Sequence, residues 1–172
     1  HGIESMANME GYTVLIYQTN EKKECEIKGL ETFLSARVDG ILVSLAKDTI
    51  EFEHFSTIKK RGIPIAFFDR YHDQLGISSV VIDDFKGAYL ATQHLIDNGY
   101  SAIAHITGPL NIKTFNDRLN GYKKALKDNG LKFIPGMLHS GNISIEAGRV
   151  GVRYLLKKNK KVDAIFAVED FT

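Results

Sequence analysis

The sequence predicts an α/β fold in which parallel sheets are covered on both faces by helices, and three observations carry that expectation. Short apolar runs recur at residues 40–44 (GILVS), 63–68 (IPIAFF), 102–107 (AIAHIT) and 163–168 (DAIFAV), each fitting a strand buried on both sides. Between them lie segments whose apolar residues repeat at helical spacing, as Phe115, Leu119, Tyr122 and Leu126 do. Gly11, Gly62, Gly99 and Gly130 follow the helical stretches, where a glycine stops a helix. Strand alternating with helix implies parallel neighbours joined by right-handed crossovers.

Taken in order, residues 1–10 place Ile3, Met6 and Ala7 at helical spacing. The chain is therefore expected to open in the tail of a helix, with further protein upstream. Residues 13–17 (TVLIY) predict a strand and residues 18–20 the loop at its end. Residues 21–36 predict a helix with Ile27, Leu30, Phe33 and Leu34 on its buried side. After the strand at 40–44, Asp48 and Glu51 stand at capping-box spacing before Phe52, Phe55 and Ile58. The strand at 63–68 delivers Asp69 and Arg70 at its carboxyl end.

A linking region, 71–78, separates two such α/β units, expected as an N-terminal lobe at 1–80 and a C-terminal lobe at 81–172. Residues 79–82 run into Asp83 and Asp84, either of which can cap a helix over 84–98 with the stripe Phe85, Ala88, Tyr89, Thr92, Leu95 and Ile96. The strand at 102–107 stops at Gly108 and Pro109. Thr114 and Asp117 then have the spacing of an N-cap and its N3 partner, and Arg118 lies one turn in, at the border of the buried face. A short strand is expected at 137–139. Ser144 caps a helix to about residue 158, whose Ala147, Gly148, Gly151 and Val152 form a face for close packing. The strand at 163–168 ends at Glu169 and Asp170.

Composition excludes several classes. With 44% hydrophobic and 25% charged residues over 172 positions, the chain can bury a core. Twenty-two Lys and Arg against 21 Asp and Glu leave a net charge of +1, too little field for this chain alone to draw in nucleic acid or an anionic membrane. The single cysteine, Cys25, has no CxxC or histidine partner nearby, which favours a reducing compartment. No run approaches the ~20 apolar residues of a membrane span. Histidines 54, 72, 94, 105 and 139 show no ligand spacing, so neither a metal nor another cofactor is expected, and His105 is read as a core histidine. No GxSxG, P-loop or cysteine–histidine pairing is present. The adjacent carboxylates, Asp83 with Asp84 and Glu169 with Asp170, sit at helix starts where capping accounts for them. An enzyme is therefore not expected.

In open α/β sheets, ligands sit outside the carboxyl ends of the strands, and Asp69, Arg70, Arg118 and Glu169 all fall near such ends. Acceptors beside a planar set of donors suit the vicinal hydroxyls of a sugar. The same residues also suit surface ion pairs, and spacing alone does not separate the two readings. Asp170 is read mainly as the cap of a following helix, and Glu169 as the pocket member of that pair.

The segments GIESMANMEGYTVLI, RVDGILVS, GIPIAFFDR, HLIDNGYSAIAHITGP, RLNGYKKAL and VDAIFAVED, in that order, resemble the effector-binding domain of the LacI/GalR family of bacterial transcription regulators. The resemblance spans nearly the whole chain. It implies a two-lobed, periplasmic-binding-protein-like fold, a sugar or related metabolite held between the lobes, a cytoplasmic homodimer, and operator DNA read by a helix-turn-helix headpiece that would precede His1. By resemblance, Asp69 and Arg70 take the place used for ligand hydroxyls, Arg118 is the arginine of the RxxGY signature, and Glu169 precedes the common aspartate, Asp170. Ile143 stands where an aromatic often stacks on the effector. Glu169 replaces a frequent asparagine, and its charge favours a polyol, an amine or a protonated partner. Ile143 and Asp170 are additional pocket candidates. Effector binding would then draw the lobes together and alter the spacing of the headpieces. A periplasmic sugar-binding protein of a transporter is the rival reading, and a sugar- or nucleotide-converting enzyme, for which no base or nucleophile is evident, is a further one.

Overall fold

The computed structural model describes residues 1–159 and 161–170. They fall into two compact units, His1–Ala66 and Phe67–Thr172.

The first unit contains helices α1 (Gly2–Met9), α2 (Lys23–Ala36) and α3 (Glu53–Lys60), and strands β1 (Ile41–Val43) and β2 (Ile65–Phe68). Leu30, Ile41, Val43, Leu45, Ala46, Phe55 and Ile58 are its buried apolar residues, because one side of α2 and of α3 and alternate residues of β1 turn inward, while α1 buries none of its residues. The Ile41 amide donates to the Pro64 carbonyl at 2.9 Å. The division falls within β2, which stands between β1 and β3 (Ser78–Val80) in the strand order β1-β2-β3.

Two expectations fail in this unit. Residues 13–17 form no strand. A strand needs a neighbour for its amides, and none among the described residues pairs with this segment; Leu15 and Ile16 are exposed. Tyr17 instead packs edge-on against Phe33 of α2, over Gly29, where a Cβ would come within 2.7 Å of its ring. Asp48 and Glu51 do not cap α3, whose N-cap is Phe52 with no side-chain bond. Asp48 accepts the Lys23 amide at 2.6 Å and Glu51 the Lys23 ammonium at 2.6 Å, so both serve the start of α2.

The second unit is built on β4 (Ile103–Thr107), flanked in parallel by β5 (Leu138–Ser140) and β6 (Ala164–Ala167) in the order β5-β4-β6. All five residues of β4 are buried, as expected for the middle strand of a sheet covered on both faces. The pleat sends Ile103 to one face, with Leu119, Tyr122 and Leu126 of α5 (Lys113–Asp128). Ala104 and Ile106 face the other way, with Leu155 of α6 (Ile145–Lys158). Helix α4 (Asp84–Asp97) crosses α5 at Gly121, where a Cβ would sit 2.2 Å from the Phe85 carbonyl oxygen.

Two caps behave as expected: Asp83 accepts the Lys86 amide at 2.8 Å, and Ser144 accepts the Ala147 amide at 3.1 Å. Thr114 does not cap α5. The helix begins two residues earlier than that cap would set it, at Lys113 with Ile112 as N-cap, so Thr114 is carried inside with a buried hydroxyl that has no partner among the described residues. Asp117 bonds Lys113 at 3.0 Å instead.

Candidate functional site

The carboxyl ends of β4, β5 and β6 are held level by backbone bonds. The Gly141 amide donates to Thr107 at 3.0 Å, Val168 to Ile106 at 2.9 Å, and the Ser140 hydroxyl to the Gly108 carbonyl at 2.9 Å. Gly108 has no room for a side chain, because a Cβ would lie 2.6 Å from the Phe115 ring and 2.8 Å from Ile143. Ile143 packs against Ile112, Phe115 and Val168 in one apolar cluster.

Arg118 stands on the first turns of α5 with its side chain 20% exposed. Its Nε donates to Asp84 Oδ1 at 2.7 Å and its Nη1 to the Val168 carbonyl at 2.6 Å. The guanidinium is thus clamped between the start of α4 and the end of β6, and its Nη2 keeps its protons for another partner. Capping accounts for Asp83 but not for Asp84, whose carboxylate, only 6% exposed, is the counter-ion of this arginine. Burial raises the Asp84 carboxyl above the ordinary aspartate value, and the bond to Arg118 opposes that rise.

Asp69 follows β2 in the left-handed region, φ 59°, with its amide donating to the Val80 carbonyl at 3.2 Å. Asparagine and aspartate tolerate that backbone better than bulkier residues. Arg70 lies next to it, Nε to Asp69 Oδ2 at 3.9 Å, with 23% of its side chain exposed. Glu169 is half-buried just past β6. Burial raises its carboxyl above the usual glutamate value; Arg118 and then Arg70 pull it down, while Asp69 and Asp170 push it up. The structure therefore places Glu169 within the fields of Arg118, Arg70 and Asp69, with Asp170 exposed beside it. Lys113, also at this end of α5, faces Asp117 at 3.0 Å and Asp73 at 3.7 Å and lies over the Tyr71 ring.

Sequence reasoning missed Asp84 as part of the site, since an aspartate beside a helix start reads as a cap. The signal was the pair itself: one cap position cannot use two aspartates. Thr107 and Thr114 carry hydroxyls that are buried without a partner among the described residues. No group of three or more His, Cys, Asp or Glu side chains among the described residues is arranged to hold a metal ion.

The whole chain, residues 1–172, matches the model described as periplasmic binding proteins and sugar binding domain of LacI family. It is 31% identical to the ribose operon repressor of Halalkalibacterium halodurans over 98% of this chain and 48% of that protein. Catabolite control protein A of Priestia megaterium is 30% identical over 98% of this chain and 51% of its own length. The crystal structure of the transcription regulator CcpA of Lactococcus lactis superposes with a TM-score of 0.87 at 29% identity, covering 99% of this chain and 61% of that one. The chain spans about half the length of the curated relatives it matches. On the match over its full length, the chain belongs to the family of periplasmic binding proteins and sugar-binding domains of LacI-type regulators.

Proposed function

We propose that this chain is the effector-binding and dimerisation part of a LacI-type transcriptional repressor, taking a small metabolite, most simply a sugar, at Asp69, Arg70, Arg118 and Glu169. The observation that carries the reading is the meeting of two arginines and two acceptors at the carboxyl ends of the strands, where open α/β sheets hold ligands. Acceptors next to oriented donors match a polyol, each hydroxyl of which both gives and takes a hydrogen bond. Ile143 with its apolar neighbours supplies a floor for a sugar's C–H face, and Asp170 an acceptor at the rim.

The relative named as a ribose operon repressor supports regulation over transport and over catalysis. In the full protein, this part acts in the cytoplasm as a homodimer and controls operator binding by a separate DNA-reading segment. The ligand shifts that equilibrium only by its difference in affinity between the two states.

Isothermal titration with a panel of pentoses, hexoses, disaccharides and purines tests the assignment. One-site binding is expected, weakened about tenfold or more by Arg118→Ala, since a hydrogen bond from a charged donor contributes about 1.5–3 kcal/mol. Full affinity in Arg118→Ala overturns the pocket assignment.

A further inference from the structure

We propose that this site selects an uncharged or cationic ligand rich in hydrogen-bond donors, and rejects phosphorylated or carboxylated ones, because Asp84 has already taken up the charge of Arg118. The inference rests on the reading above and narrows it to a ligand class.

An arginine beside a ligand site ordinarily suggests an anion, since its fork matches carboxylate and phosphate. Here the Nε side of that fork is spent on Asp84 at 2.7 Å and one Nη1 proton on the Val168 carbonyl at 2.6 Å. With Asp84 almost fully buried, the pair is close to neutral to anything approaching from the solvent side. Arg70 faces Asp69 at 3.9 Å, and Lys113 is flanked by Asp117 and Asp73. Arg118, Arg70 and Lys113 are therefore each already matched by at least one carboxylate.

Glu169 is the group left over. Its carboxyl is half-buried and feels Arg118 and Arg70 only through space, with no hydrogen bond from the described residues. Asp69 and Asp170 add negative potential to it. A half-buried carboxylate without a donor is corrected by a ligand hydroxyl or ammonium, and made worse by a second anion. Like charges brought close together at a protein surface repel. What remains open on Arg118, at Nη2, suits the oxygen of a hydroxyl.

The test is titration calorimetry of the full-length protein with matched probes: D-glucose, D-glucosamine and D-glucose 6-phosphate, and D-ribose with D-ribose 5-phosphate. In any set that binds, the neutral or amino member should bind at least about tenfold tighter than the phosphate, the factor that about 1.4 kcal/mol supplies. Asp84→Asn, which returns the charge of Arg118 to the pocket, and Glu169→Gln, which removes the leftover anion, should each cut that preference about fivefold or more. Far-UV circular dichroism shows whether Asp84→Asn folds; if it does not, Glu169→Gln decides, since its side chain holds no other part of the fold in place. A phosphate that binds as tightly as its neutral partner, or a preference unmoved in Glu169→Gln, overturns the inference and leaves the effector-binding reading standing. Binding by none of the probes, nor by any member of the wider panel, overturns both.

Discussion

His105 shows what one residue in the middle of a sheet is made to do. It stacks on Phe166 across the β4–β6 ladder at 4.6 Å and donates from Nδ1 to the Phe166 carbonyl at 2.8 Å, so its Nε2 is left buried without a partner among the described residues. Burial, the larger effect, lowers its pKa from 6.5 to about 4 against the pull of that carbonyl. Its unfolded form therefore binds the proton first, and stability is lost as pH falls from 6.5 towards 4. The shift corresponds to about 3 kcal/mol across that window. Urea unfolding at pH 7 and at pH 4.5 should show the loss, and His105→Phe should remove most of it; an unchanged pH dependence in that variant would place the titration elsewhere. The sequence reading of His105 as a core histidine rested on its apolar strand and holds. Arg118 was located with equal ease, but its partners at residues 84 and 168 lie far off in sequence, and only the packing of α4, α5 and β6 joins them.

At the level of elements, carboxylates tie the loop after β1 to the start of α2. Glu26, with 2% of its surface exposed, accepts from the Ala46 amide at 2.8 Å and the Thr49 hydroxyl at 2.9 Å, and bonds His54 at 2.8 Å. Glu21 accepts from the Lys47 amide at 2.9 Å, and Asp48 returns the favour to Lys23. Glu26→Ala leaves several buried groups without partners and should destabilise by about 2–4 kcal/mol, whereas Asp48→Ala removes one cap and should cost about 1 kcal/mol. Chemical denaturation of both variants checks the order, and equal losses would contradict it. Glu26 was legible in principle, since it stands four residues before Leu30 on the inward side of α2. Asp48 was not, because capping-box spacing is local and its true partner is a different helix. Gly121 makes the same point for packing: Gly121→Ala sets a Cβ against the α4 backbone, which cannot rotate away as a side chain can. The two helices must part, and a loss of about 3 kcal/mol is expected in thermal or urea unfolding, against little change if they separate freely.

For the whole molecule, binding and stability are linked. A ligand at one hundred times its Kd that binds only the folded chain adds about 2.7 kcal/mol to the unfolding free energy. A sugar identified by calorimetry should therefore raise the melting temperature in a concentration-dependent way, and that rise should shrink in Arg118→Ala. A melting temperature unmoved by such a sugar would mean that the measured heat does not come from a site in the folded state.

The sequence by itself determined the α/β class, the helices and most of their buried stripes, Phe85 of α4 being exposed, and the strand ends at which Asp69, Arg70 and Glu169 emerge, because these follow from periods of two and 3.6 residues and from local stop signals. Only the tertiary structure decided whether a strand-like segment finds a neighbour, as residues 13–17 do not, and which of two adjacent aspartates caps a helix. It also decided that Arg118 comes to the site with its charge already answered by Asp84. Hydrogen-bond partners for a ladder, a cap or a guanidinium are matters of distance in space, and chain spacing carries no information about them beyond the next turn.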